Sequence, residues 1–313
     1  APRGRGRGGR GGRGGRGAPT STITTSSSAD DASGKLDDAD FVFMELELLR
    51  KCLAASMRPR VAAGSLRFEW DDERAVDDFV FLCMLVGNDF IPGLPSLDVA
   101  DGGLNLMMKR YTELLPSLDG FISHKSKLHF DRLERFTNLL HADEGYVVRK
   151  KLGADSKPGR RVAPGELDEE PDEYRRRYSL QKLGLHPNDK EGRRKLVHAY
   201  LSGLCWCLAY YHEGCRSWNW YFPEFYAPLA TDLVDLASYE VELELGEPFP
   251  PLAQLLSVLP PQSGKLVPAA YRELMLSDDS PIFDAFPVAF ELDFNGKRND
   301  WEAIALLPFI DEK

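Results

Sequence analysis

Residues 79–97 end an unbroken apolar run, Phe79 to Val86, with Gly87, Asn88 and Asp89. Pro92 and Pro95 follow and forbid a helix from continuing. Asp89 is thereby fixed at the end of a buried element. A short carboxylate on a rigid base is what a hard divalent cation such as Mg²⁺ selects. The same residues also read as an ordinary helix stop, in which glycine supplies the C-terminal turn. Gly87 and Asn88 are the turn-positioning residues, Asn88 through hydrogen bonds of its backbone or side chain.

The elements that must carry this turn are mostly helical. Acids at Asp71, Asp72 and Glu73 open a helix predicted over 71–87. Asp77 and Asp78 lie one to two turns inside it, placed to face a metal, solvent or a basic neighbour. An upstream helix is predicted over 36–57, with Asp37, Asp38 and Asp40 at its N-terminus. Residues 102–115 alternate apolar and polar side chains at helical spacing. A small hairpin is expected at 120–130 and a further helix at 131–150. The Gly-, Pro- and acid-rich stretch 153–173 reads as a linker or variable loop. A long apolar helix over 191–213 begins with Arg193, Arg194 and Lys195. Basic charge at a helix start opposes the macrodipole, which points to phosphate, to acidic side chains or to a solvated face. Residues 217–228 hold Trp218, Trp220, Tyr221, Phe222, Phe225 and Tyr226 among prolines. Short helices are expected near 251–258, 266–276 and 299–306. The expected fold class is mainly α with a few short strands.

The chain has 313 residues, a net charge of −10 and a pI near 5.2. Residues 1–17 contain six arginines and no acid, so the rest is more acidic still. Such a balance disfavours nonspecific coating of a duplex, but leaves room for a local basic groove on a single strand. Residues 1–35 are an Arg-Gly tract followed by a Ser/Thr-rich stretch, too poor in apolar area to offset chain entropy, and are expected to be disordered. Such tracts can hold RNA by charge and guanidinium stacking, or act as a solvated linker. Cys52, Cys83, Cys205, Cys207 and Cys215 lie mostly in apolar helical patterns, which fits a reducing compartment. Cys205 and Cys207 would point to nearly opposite sides of a helix, which argues against zinc. No apolar stretch approaches the roughly 20 residues that span a bilayer. The chain starts with alanine, and the expectation is a piece of a longer polypeptide.

The block Gly87-Asn88-Asp89-Phe90 resembles the signature of the XRN family of 5′→3′ exoribonucleases; flap endonucleases have a looser version. Residues 40–50, 200–228, 248–259, 279–284 and 293–311 resemble further blocks of the family, in the same order. The Cys205–Trp206 and Trp220–Tyr221–Phe222 details lean toward its nuclear branch. The resemblance implies that this segment belongs to an α/β PIN- or flap-endonuclease-like nuclease, divided into 36–152 as the C-terminal part of the nuclease core, 153–173 as a linker and 174–313 as a second helical lobe. It implies hydrolysis of single-stranded 5′-monophosphorylated RNA in RNA processing or turnover, with two Mg²⁺ ions, Mn²⁺ being a substitute. Asp89 matches the family's last metal-site aspartate and is the one catalytic and metal-binding residue that carries over. The other ligands and the 5′-phosphate pocket belong to an N-terminal half with no counterpart here, so the segment alone is expected to be inactive. By the same resemblance, Trp218 or Trp220 would stack on RNA, and Lys109 and Arg110 would contact a phosphate backbone; Arg193 and Arg194 are RNA-binding candidates through their charge at a helix start. No membrane partner is expected; a protein cofactor of unknown identity fits, as does nuclear rather than cytoplasmic residence. Two other readings are a non-enzymatic RNA-binding or scaffolding segment with an Arg-Gly tail and a structure-specific DNA nuclease. The Trp-rich lobe argues against the latter, because flap endonucleases lack it.

Overall fold

A computed structural model describes residues 43–62, 64–100, 102–154, 171–295 and 302–310. The Arg-Gly tract, Asp37, Asp38, Asp40 and nearly all of the expected linker lie outside them. The fold is mainly helical. Its helices are α1 (Leu46–Met57), α2 (Asp72–Met84), α3 (Gly103–Leu114), α4 (Phe130–Ala154), α5 (Pro171–Gln181), α6 (Lys190–Glu213), α7 (Pro251–Val258) and α8 (Ala269–Leu276). Two antiparallel hairpins complete it: β1 (Ser123–His124) with β2 (Lys127–Leu128), and β3 (Glu291–Asp293) with β4 (Ile304–Leu306). No helix among the described residues is long and apolar enough to cross a membrane.

Several expected boundaries shift for local reasons. The first described helix starts at Leu46, after Glu45 in extended backbone, and residues 36–42 of the expected helix lie outside the described residues. The second stops at Met84, because Leu85 and Val86 tighten into a turn ahead of Gly87, whose φ is +105°. The helix expected near 299–306 is a strand at Ile304–Leu306, paired with β3. Capping follows the sequence at α2, and α6 adds a cap that the sequence reading does not name. Asp71 accepts from the amides of Glu73 and Arg74 to open α2, and Asp189 accepts from Gly192 to open α6.

One continuous apolar core runs from Met57 through Leu82, Leu85, Ile91, Met107, Tyr111 and Phe136 to Leu201, Leu204 and Leu236. It joins helices from both sides of the expected linker. Several of the acids in this chain are fastened inside it. Glu144 on α4 is buried and accepts from the Ala230 amide and the Thr231 hydroxyl, each at 2.9 Å. Glu134, nearly three turns earlier on α4, accepts from the amides of Asp235 and Leu236. The segment after the aromatic stretch is thus stitched to α4 by carboxylate–amide bonds, which satisfy backbone donors that would otherwise be costly to bury.

Asp78 corrects its sequence reading. It does not face solvent; it is fully buried and its oxygens accept four hydrogen bonds from neutral donors. The donors are Tyr111 Oη at 2.6 Å, the Ile122 amide at 2.8 Å, and the Ser123 amide and hydroxyl at 2.7 Å each. Burial pushes its pKa up, against the four donors that favour the charged form. The carboxylate binds α2 to α3 and to the base of the first hairpin. Asp78→Ala would leave these donors unpaired inside the core. The expected result is a loss of about 3 kcal/mol or more, read as a lower midpoint of urea unfolding. Asp77→Ala, half-buried on the same helix, should cost less than about 1 kcal/mol.

Candidate functional site

Residues 85–94 form a closed turn at the end of α2. The Gly87 amide donates to Met84, the Asn88 amide to Ile91 and the Leu94 amide back to Leu85. The Asn88 side chain fills the loop, its Oδ1 accepting from the amides of Phe90 at 2.9 Å and Ile91 at 3.0 Å. An asparagine carboxamide that replaces a backbone acceptor in this way is a known means of fixing a turn. Two glycines permit the closure. A Cβ on Gly93 would lie 1.9 Å from the Val86 carbonyl oxygen, and one on Gly87 would lie 2.7 Å from the Gly93 nitrogen. Gly87 also needs its positive φ.

The turn docks on one face of α6. Gly203, Trp206, Cys207 and Tyr210 recur at helical spacing and so share a stripe. Ile91 sits over Gly203, where an added Cβ would come within 2.6 Å of Ile91 Cγ2 and 3.0 Å of Trp220. Asn88 Nδ2 meets Cys207 Sγ at 3.5 Å. Burial pushes the Cys207 thiol up to about 11, so it stays neutral beside the carboxamide. Phe90 packs on Trp206 at 4.8 Å and on Tyr210 at 5.4 Å between ring centroids. Trp206 in turn stacks on Tyr210 at 5.1 Å, with planes 9° apart, and on Trp220 at 5.1 Å.

Asp89 projects from this assembly. It is exposed, and no described residue is hydrogen-bonded or ion-paired to its carboxylate. Beside it, Phe90 and Tyr210 are 38% and 41% exposed, so the column of rings reaches the surface next to the free carboxylate. Among the described residues no three His, Cys, Asp or Glu side chains are placed to hold a metal ion together. An open carboxylate on a fixed turn suits one ligand position of a hard cation, and one only.

The structure separates the two tryptophans that the sequence leaves together. Trp220 is half-buried between Trp206 and Gly203, as part of the packing. Trp218 is 53% exposed, its backbone held by a bond from its amide to the Leu245 carbonyl at 2.7 Å.

The basic candidates mostly have internal partners. Arg110 spans α3 and α4, donating Nε and Nη2 to Asp143 at 2.6 Å each and Nη1 to Glu113 at 2.8 Å. That bidentate pairing uses the planar fork that an RNA phosphate would need. Arg193 is bonded to the buried Asp232, and Arg194 bonds Ser238 and lies over the Tyr239 ring at 4.4 Å. Lys195 pairs with Glu191 at 2.8 Å. The charge at the start of α6 is thus answered from within the chain. Lys109 remains largely exposed, 4.0 Å from Glu113.

The sequence marks Phe90 only as the last residue of the Gly87–Phe90 block and does not mark Tyr210 as a site residue. The available signal was the stripe Gly203, Trp206, Cys207, Tyr210, because a glycine inside a strongly apolar helix marks a close approach.

A family model described as the Xrn1 helical domain matches residues 69–173 and 167–313. This chain belongs to that family. Similar proteins include a 5′-3′ exoribonuclease 2 homolog of Drosophila melanogaster, 31% identical over 340 residues that cover 88% of this chain and 37% of the relative. Human 5′-3′ exoribonuclease 1 is 31% identical over 88% of this chain and 19% of the relative. The chicken 5′-3′ exoribonuclease 2 is 29% identical over 88% of this chain and 38% of the relative. This XRN-family chain therefore spans well under half the length of these relatives.

Replacing glycine by alanine inside a helix ordinarily stabilises it by about 0.5–1 kcal/mol. At Gly203 the sign should reverse. Overpacking against Ile91 and Trp220 is expected to cost about 1–3 kcal/mol, seen as a lower Tm in calorimetry.

Proposed function

We propose that this chain is the part of a 5′→3′ exoribonuclease that completes the metal-ligand shell and carries a stacking surface for single-stranded, 5′-monophosphorylated RNA. The observation that carries this reading is the unpartnered Asp89 carboxylate, held on a rigid turn beside an exposed aromatic column. Its support from similarity is the family match and the printed activity of the relatives.

In this reading Asp89 offers one oxygen ligand to a divalent-cation pair, Mg²⁺ with Mn²⁺ as a substitute. Such a pair, when bound, activates a water and stabilises the leaving oxygen. Asn88 and Gly87 fix where that ligand stands. The remaining carboxylates come from sequence outside this chain, since a single aspartate cannot set two octahedral ions in order. The chain alone is then inactive, and joining it to its N-terminal half restores hydrolysis. Base stacking without sequence choice falls to exposed rings, Trp218 with Phe90 and Tyr210, while Trp220 supports them from behind. The nuclear-branch details at Cys205–Trp206 and Trp220–Tyr221–Phe222 favour nuclear RNA processing.

In the full-length protein, Asp89→Ala should reduce hydrolysis of 5′-phosphorylated RNA by more than about 100-fold, beyond the cost typical of an outer-shell group, with RNA affinity largely kept. Single-turnover rates and anisotropy titrations check both halves of this; equal turnover by variant and parent would remove Asp89 from the site. Trp218→Ala should weaken binding of single-stranded RNA by about 5- to 150-fold with Tm little changed. Trp220→Ala should act the other way round, lowering Tm first.

A further inference from the structure

The β1–β2 hairpin is a cationic projection on an acidic chain. His124 and Lys127 are directly paired across it, so their side chains share a face, and both are exposed. Lys125, at the tip, is exposed as well. No described carboxylate forms an ion pair with any of the three.

The hairpin is also held more firmly than a solvent loop requires. Its base is tied to the core through the two bonds from Ser123 to buried Asp78, and Arg74 donates to the Ser123 carbonyl at 3.3 Å. Its tip is tied to the last turn of α6 by a bond from the Ser126 hydroxyl to Glu213. Lys125 adopts φ +54°, a left-handed backbone that costs a non-glycine residue roughly 1–2 kcal/mol. Glycine or asparagine would form this tip more easily. A lysine there places charge at the apex against local preference.

Position supplies the third argument. Glu213 lies six residues beyond Cys207, the point on α6 that meets Asn88. At 1.5 Å per residue this is about 9 Å along the helix, with Tyr210 in between. Arg216 adds another exposed cation, paired with the same Glu213. A strand laid from Asp89 across Tyr210 would reach the hairpin after about three stacked nucleotides, at roughly 3.4 Å each.

The geometry points to the β1–β2 hairpin as a phosphodiester clamp, in which Lys125 and Lys127, flanked by His124, hold the backbone of a single RNA strand a few nucleotides from Asp89. This rests on the RNA reading above. The contacts are to phosphate and so carry no sequence preference.

The test is anisotropy of this 313-residue chain with a fluorescent 5′-phosphorylated oligouridine at several salt concentrations. Lys125→Gly with Lys127→Gln keeps the positive φ permissible and removes both charges. The expected result is a loss of affinity on the order of 10-fold at low salt and a slope of log affinity against log salt shallower by about 1.4. The charge-matched pair Lys51→Gln with Lys265→Gln should leave the slope near wild type. Lys125→Arg with Lys127→Arg should keep both affinity and slope, which a merely structural role of lysine would not predict. Should the double variant be poorly folded by circular dichroism, Lys127→Gln alone, with half the change in slope, serves in its place. A double variant that keeps the wild-type slope overturns the clamp and leaves the RNA reading standing. A wild-type chain with no salt-dependent RNA binding overturns both. Loss of poly-glutamate binding with RNA affinity intact also overturns the clamp, in favour of an acidic protein partner.

Discussion

The contact on which this structure turns is the seating of residues 87–93 on the stripe of α6 made by Gly203, Trp206, Cys207 and Tyr210. It closes the end of α2, joins helices far apart in sequence and decides which side chains of the turn are buried. Ile91 goes into the core, Phe90 onto the rings and Asn88 into the loop itself. What is left to face outward is Asp89. Its exposure follows from the packing of its neighbours.

Several charges among the described residues serve architecture. Asp78, Glu144 and Asp232 are buried and receive backbone or side-chain donors, while Arg110 and Arg193 face carboxylates on neighbouring elements. A buried carboxylate without its donors would be far more costly than the same residue on the surface. The ionic groups of the interior therefore form a framework and constrain how helices meet. Among the described residues, Asp89, Trp218 and the first hairpin are places where polar or aromatic groups stay open to solvent.

Part of this was legible in the chain itself. The apolar run, the glycine and the two prolines mark the end of α2, and Asn88 as a turn former follows from its type. The long apolar α6 is equally plain, whereas its cap Asp189 was hidden behind the basic run that follows it. The partner of each charge was not legible, because Arg110 meets Asp143 across thirty-three residues and Asp78 meets Ile122 and Ser123 across more than forty. Helical position alone makes Asp77 and Asp78 look alike; only the folded core separates the half-buried one from the fully buried one. The short strand at Ile304–Leu306 escaped because its state is set by pairing with β3 and not by local preference. Trp218 and Trp220 are two residues apart in an aromatic-rich stretch, and their different exposures depend on what α6 offers to each.

The close approach of Gly93 to Val86 has a thermodynamic corollary. Backbone that touches backbone leaves no slack, so the φ and ψ of residues 87–93 are settled when the protein folds. Fixing a residue costs roughly 1–2 kcal/mol in conformational entropy, and here that cost falls on folding. If Asp89 takes a cation or strand as proposed, the ligand would meet a carboxylate whose main chain is already held in place. Recognition there is preorganised, with only the side-chain torsions of one short acid left to be frozen on binding.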